Sequence, residues 1–296
     1  MLHVTNGTSV SLRESGLGGD VLAWIDVLHE GPVPAGLSPE ELRHVRALYL
    51  DAGDELTNRD AALDEFALHE EVALWFEHDL YDQLQLIQIL DRLRPRAGGA
   101  TRLSLICIDQ YLGRLTGPQL AEHWPARHTV TPEEFDLASA AWRAFRSPDP
   151  MDIDGLLRRD TSRLPFLDGA LRRHLQQFPS TENGLARTER QILVLVGEGK
   201  RTFAALFAAE QTLEERIFMG DSIFQRYLRG LCDCRRPLLE ERHANYYLTE
   251  AGRDVLGTRA DHVHLNGINR WLGGVHLNGV EVLWRWDESA RRLVRH

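Results

Sequence analysis

Glu71-Val72-Ala73-Leu74-Trp75-Phe76, followed by Glu77-His78-Asp79 and then by Leu80 to Leu93, decides the fold of this chain. The first run lacks polar alternation, which describes a strand buried on both faces of a sheet covered by helices. The last places Leu80, Leu84, Ile87 and Leu90 at helical spacing. Downstream, Leu103–Ile108 (LSLICI) is another such strand. Upstream, residues 2–5 and Asp20–Ile25 (DVLAWI) read as strands. Ser38-Pro39-Glu40-Glu41 opens a helix towards Leu50, with Ser as N-cap, Pro in the first turn and Glu placed to reach back. A second helical stretch covers about Asn58–Leu68. Strands alternating with helices predict an α/β fold, a Rossmann-like doubly wound parallel sheet over residues 1–115.

From Thr116 the pattern turns helical, and residues 116–180 are expected to pack on that sheet as a helical segment. Thr131-Pro132-Glu133-Glu134 starts a helix reaching Phe145, and Phe178–Gly184 reads as a linker. Residues 185–296 form the expected C-terminal domain. Helices over Thr188–Gly197, Thr202–Glu210 and Ser222–Cys234, a hairpin over Pro237–Leu248 and a helix from Thr249 predict a winged-helix-like α+β region.

Charge narrows the function. The chain has 296 residues and a net charge of −10, but residues 1–100 carry 18 acids and 7 bases. So acidic a first third is a poor platform for a phosphate backbone, which is bound through Lys and Arg. It suits a metal or another cation better. Lys200 is the only lysine, which argues against a Schiff-base mechanism. Three cysteines, Cys107, Cys232 and Cys234, make no paired framework and suit a reducing cytoplasm. No apolar run approaches the roughly 20 residues of a membrane helix, and the N-terminus lacks a signal-peptide layout. A cytoplasmic protein without a membrane partner is expected.

Chemistry collects where the strands end. An open α/β sheet binds ligands beyond the carboxyl ends of its strands, and three polar clusters fall there. Asn6-Gly7 follows the first strand and could turn backbone N–H groups towards an anion, although no G-x-G-x-x-G is present. Asp26, His29 and Glu30 precede Gly31-Pro32 in a loop; Asp26 or Glu30 is a candidate base or metal ligand, and His29 suits either task near neutral pH. Glu77, His78 and Asp79 lead into Asp82 and Gln83, with Asp79 also an obvious helix cap. Asp109, after the fourth strand, is placed to complete the site or to cap the next turn. Together they offer oxygen and nitrogen ligands of the kind that hold Mn, Zn or Mg, without any H-E-x-x-H or C-x-x-C spacing.

The rival centre is the helix over Ser222–Cys234, with Arg226 and Arg229 on it and Arg235 and Arg236 just beyond, all candidates for phosphate contacts. Residues 186–256 hold 11 bases and 11 acids, however, which is no electrostatic footprint for nucleic acid. A packing or homodimer module is the plainer reading of that region. Arg172, Arg173 and His174, within one helical turn, read as a solvated face.

The segments HVTNGTS (3–9), GDVLAWIDVLHEGPVP (19–34) and LWFEHDLYDQLQL (74–86) resemble the bacterial family of the domain of unknown function 1835. FPSTENGLARTERQIL (178–193) and LNGINRWLGGVHL (265–277) are similar to its longer members, so the resemblance spans nearly the whole chain. It implies shared positions at Asn6, Gly7, Asp26, His29, Glu30, Gly31, Pro32, Glu77, His78, Asp79, Asp82 and Gln83. It implies no catalytic role. The expected function is an enzyme, a hydrolase or transferase, acting on a small phosphate-bearing or nucleotide-like ligand at the strand ends. A ligand-sensing winged-helix regulator and a non-catalytic adaptor are the alternatives.

Overall fold

The computed structural model describes residues 1–295. These divide into two compact units, Met1–Leu171 with Gly273–Val275, and Arg172–Leu272 with the remainder of the C-terminus. The division thus precedes the linker expected at 178–184. That stretch is part of the second unit: Phe178 is buried, Asn183 Nδ2 donates to the Val255 carbonyl, and the Thr181 N–H donates to the Trp286 carbonyl.

The first unit is a mixed α/β structure on a five-stranded, mostly parallel sheet. Its strands are β1 (Leu2–Thr5), β2 (Asp20–Ala23), β3 (Glu71–Phe76), β4 (Arg102–Cys107) and β5 (His128–Thr129), in spatial order β2-β1-β3-β4-β5. Leu2 pairs with both Asp20 and Val72, and Glu71 pairs with Arg102, all parallel; β5 closes the far edge antiparallel, Ser104 opposite Thr129. Helices α1 (Pro39–Leu50) and α2 (Glu55–Asp64) link β2 to β3, and α3 (Leu80–Leu93) links β3 to β4. Then come α4 (Gly117–His123), α5 (Pro132–Arg146) and α6 (Met151–Leu157), and α7 (Leu167–Leu175) begins after them.

Handedness sorts these helices. The chain leaves β1 in one direction to reach β2 and moves the opposite way from β2 to β3 and from β3 to β4. Right-handed crossovers therefore put the connections on opposite faces. On one face Val10, Leu12 and Leu120 pack with Ala73, Trp75 and Ile106. Alternation turns Val72, Leu74 and Phe76 to the other face. All six residues of β3 are buried, as its unbroken apolar run requires.

β3 and α3 keep the bounds their sequence predicts, and α1 and α5 carry the predicted capping boxes. Others differ. The helix expected over about Asn58–Leu68 runs from Glu55 to Asp64. β2 stops at Ala23 because Ile25 has φ 41°, the left-handed region that a β-branched side chain resists.

Gly31 shows how tightly the following loop is fitted. Its φ is +79°, and a Cβ there would meet the Tyr49 ring at 2.4 Å. Gly31→Ala is expected to cost about 2 kcal/mol or more, from backbone strain and overpacking together, read as a lowered urea midpoint; an unchanged midpoint would refute this fit.

In the second unit, α8 (Arg187–Gly197), α9 (Phe203–Gln211) and α10 (Asp221–Asp233) precede an antiparallel hairpin of Leu239–Arg242 with Asn245–Leu248, then α11 (Glu250–Leu256). Of the solvated face expected at 172–174, Arg172 is exposed, and the other two are corrected here. His174 is fully buried, and Arg173 is ion-paired to Glu214 at 2.7 Å. Among the described residues no helix is long and apolar enough to cross a membrane.

Candidate functional site

The order β2-β1-β3-β4 makes β1 and β3 the neighbours from which the chain departs in opposite directions. At such a switch point the following connections splay apart and leave a crevice beyond the strand ends. Asn6 follows β1 directly and Glu77 follows β3, so one residue step past each strand enters that crevice.

There the structure joins five of the expected residues into one buried network. Asn6 Nδ2 donates to Glu77 Oε1 at 3.1 Å and to Asp82 Oδ2 at 2.8 Å. The Glu77 N–H donates to Asp82 Oδ1 at 2.7 Å, and Asp79 Oδ1 caps α3 by accepting the Asp82 N–H. Gln83 Nε2 donates to the Glu77 carbonyl at 2.6 Å. Carboxylate oxygens of Glu77, Asp79 and Asp82 lie within 4.8 Å of one another, all three residues buried.

Acceptors outnumber donors in this network. Asn6 Oδ1 and Gln83 Oε1 are buried without a hydrogen-bond partner. Burial, and then the mutual repulsion of the acids, holds the Asp82 carboxyl well above the ordinary range and raises Asp79 to about 7. Glu77 is raised too, by burial, although the Leu112 N–H (2.6 Å) and Asn6 donate to it. So much electron density with so few donors calls for protons or a cation.

The remaining predicted residues fall around this centre. His78 is buried against the Tyr111 ring at 4.9 Å and the Phe166 ring at 6.0 Å, its Nε2 3.6 Å from Asp109 Oδ1. Asp109 itself is 71% exposed and lies outside the carboxylate group. His29 is buried beside Tyr81, ring centres 6.1 Å apart, and Glu30 is buried in the same loop. Gly7 needs no special backbone: a Cβ there would meet nothing within 4 Å.

Asp26 is a correction. Its carboxylate is 2.7 Å from Arg46 Nη2 and 3.6 Å from Arg59 Nη1, so its charge is matched by two buried guanidiniums. It is a structural anchor of the loop, not a base or ligand of the crevice.

Three contributors were missed in the sequence. The Tyr81 hydroxyl donates to the Asn6 carbonyl at 3.1 Å, tying the two strand ends together, and its position inside LYDQ was a signal. The Leu112 N–H belongs to the backbone, which no residue type advertises. Arg46, one helical turn after Leu42, lies on the apolar face of α1, the visible sign that it is buried.

Around α10, Arg226, Arg229, Arg235 and Arg236 are all exposed. Arg235 Nε donates to the Leu265 carbonyl at 3.0 Å, and the Arg236 backbone N–H donates to Asn266 Oδ1. Compared with known proteins, the chain matches no family model and no curated protein.

Proposed function

We propose that the crevice at the ends of β1 and β3 binds a hard divalent cation, and that the protein is a hydrolase or transferase acting on a small phosphate-bearing ligand beside it. The observation that carries this reading is the buried trio Glu77, Asp79 and Asp82, with the two unpartnered amide oxygens next to it. Oxygens bound to one cation at about 2.0–2.6 Å stand at most about 5 Å apart, which the trio meets. An all-oxygen set favours Mg, Mn or Ca over zinc, since neither histidine joins the group. When bound, the cation neutralises ligand phosphate oxygens that the acidic crevice alone would repel. His78, at the Asp109 side, and His29, at the Tyr81 side, are the acid/base groups nearest the ligand, and Glu30 accompanies His29. Three free cysteines fit a cytoplasmic setting.

The test is calorimetric titration of Mn into the full chain. Wild type is expected to bind one equivalent, and Glu77→Gln, which keeps the acceptor for the Leu112 N–H, to weaken binding about a hundredfold or more. His78→Ala is expected to bind Mn normally and to lose turnover in a screen of phosphate esters and nucleotides. Wild type that takes up no Mn at millimolar concentration refutes the cation reading.

A second reading is favoured by Arg226 and Arg229, exposed one turn apart on α10. Residues 187–256 would then be a winged helix-turn-helix that binds DNA, with the crevice as an effector site. It predicts DNA retardation that falls steeply with salt and vanishes in Arg226→Ala/Arg229→Ala.

A further inference from the structure

We infer that a second site, in the cavity between α1, α2, α3 and α5, binds a small phosphorylated compound through a cluster of arginines. The cavity encloses about 460 Å³, within the roughly 300–1,000 Å³ of small-molecule sites. Guanidiniums outnumber carboxylates in its ion pairs, and the additional arginines stand at its open side. Asp60, 2% exposed, accepts from Arg59 and Arg92 at 2.7 Å and stands 3.5 Å from Arg43. Asp26 pairs with Arg46 and Arg59, and Asp64 with Arg92 and Arg96. Three carboxylates thus serve five guanidiniums. Arg146 also lines the cavity, and its donors go to the Pro34 and Leu37 carbonyls, which carry no charge. Glu40 and Asp91 complete the acidic lining, but among the described residues neither is within ion-pair distance of a guanidinium; Asp91 acts on Arg146 only at longer range.

Around Asp60 three guanidiniums share one buried carboxylate and repel one another, a cost that falls when a multivalent anion enters. The donors are also reachable, since the Arg43 and Arg92 side chains are 24% and 18% exposed above a fully covered Asp60. They are fixed in advance. Arg59 lies 3.8 Å from the centre of the Trp24 ring, and Trp24 Nε1 donates to Gln88 Oε1 at 2.7 Å. Little ordering then remains to oppose binding. Arginine forks match phosphate oxygens in pairs, which selects a phosphorylated compound over a simple halide.

The cavity is distinct from the cation crevice, and the experiment separates them by working in EDTA. Inorganic pyrophosphate is titrated calorimetrically into the full chain, into Arg43→Gln and Arg43→Glu, and into Asp79→Asn. Arg43 makes one long ion pair, so both Arg43 variants are expected to keep the wild-type circular dichroism. Saturable binding to wild type is expected, weakened a few-fold by Arg43→Gln, about tenfold or more by Arg43→Glu, and unchanged in Asp79→Asn. Three results overturn the inference. One is absence of saturable binding at millimolar pyrophosphate, another is binding indifferent to Arg43→Glu. The third is binding that needs a divalent cation or is lost in Asp79→Asn, which puts the anion in the crevice.

Discussion

Asp79→Asn is expected to stabilise the cation-free protein at pH 8 by up to about 4 kcal/mol, at about 1.4 kcal/mol for each pH unit of carboxyl shift. The folded protein raises Asp79 from 3.8 to about 7. A raised carboxyl adds no penalty below its unfolded value, so the two proteins should be equally stable near pH 4. The wild type then loses stability as pH climbs through 7, while the variant does not. Asparagine keeps the cap, because its side-chain oxygen accepts the Asp82 N–H as aspartate does. It also relieves the neighbours, since Asp79 is the first charge acting against Asp82. Adding Mn should narrow the gap at pH 8. A ligand at about a hundred times its Kd adds about 2.7 kcal/mol to the wild type and at about a thousand times about 4.1 kcal/mol, enough to close the gap, and the variant gains little. Urea titrations at pH 4, 6 and 8, with and without Mn, read all of this. A variant less stable than wild type at pH 8 in EDTA would show that the trio is not under electrostatic stress.

The second large effect is expected at Arg46. Its guanidinium is 1% exposed, pairs with Asp26, and donates to the carbonyls of Glu30 (2.7 Å) and Val27 (2.8 Å). Arg46→Met fills much of the space but leaves Asp26 only its longer pair with Arg59, and leaves two carbonyls without their donor. About 3–5 kcal/mol should be lost. Arg46→Met/Asp26→Asn should recover part of it, because the under-compensated charge goes while the carbonyls stay unmet. A loss under about 1 kcal/mol in Arg46→Met would mean the pair behaves like one at the surface, contradicting its burial.

Signals carried by a single element survived the passage from sequence to structure, and signals that depend on neighbours did not. Strand 71–76 and helix 80–93 match their expected bounds, because an unbroken apolar run and a four-residue period each have one packing solution. Asn6, Glu77, Asp79, Asp82 and Gln83 were visible one by one as polar residues past strand ends. Their union depends on β1 lying beside β3, and strand order has no local periodicity. Asp26 looked like its companions because a loop carboxylate before a histidine has the same appearance whether it faces a ligand or an arginine from another helix. The same blindness applied to Arg173 and His174, whose charged, polar lettering suggests water although Glu214 waits for one and the core for the other. The arginine cavity was unreadable for that reason: its members come from α1, α2, α3, α5 and the segments beside them, each with charges that look ordinary in isolation.

The segment from Asp26 to Pro32 touches both chambers. Arg46, which lines the arginine cavity, grips Asp26 and the backbone at 27 and 30; His29 between those points rests on Tyr81, whose hydroxyl holds the end of β1. Such a stretch has one position to share between the two chambers. An occupant of one that favoured a shifted position would alter affinity in the other, and thermodynamic reciprocity would make the two factors equal. Two ligands that never meet would then report on each other through seven residues of backbone.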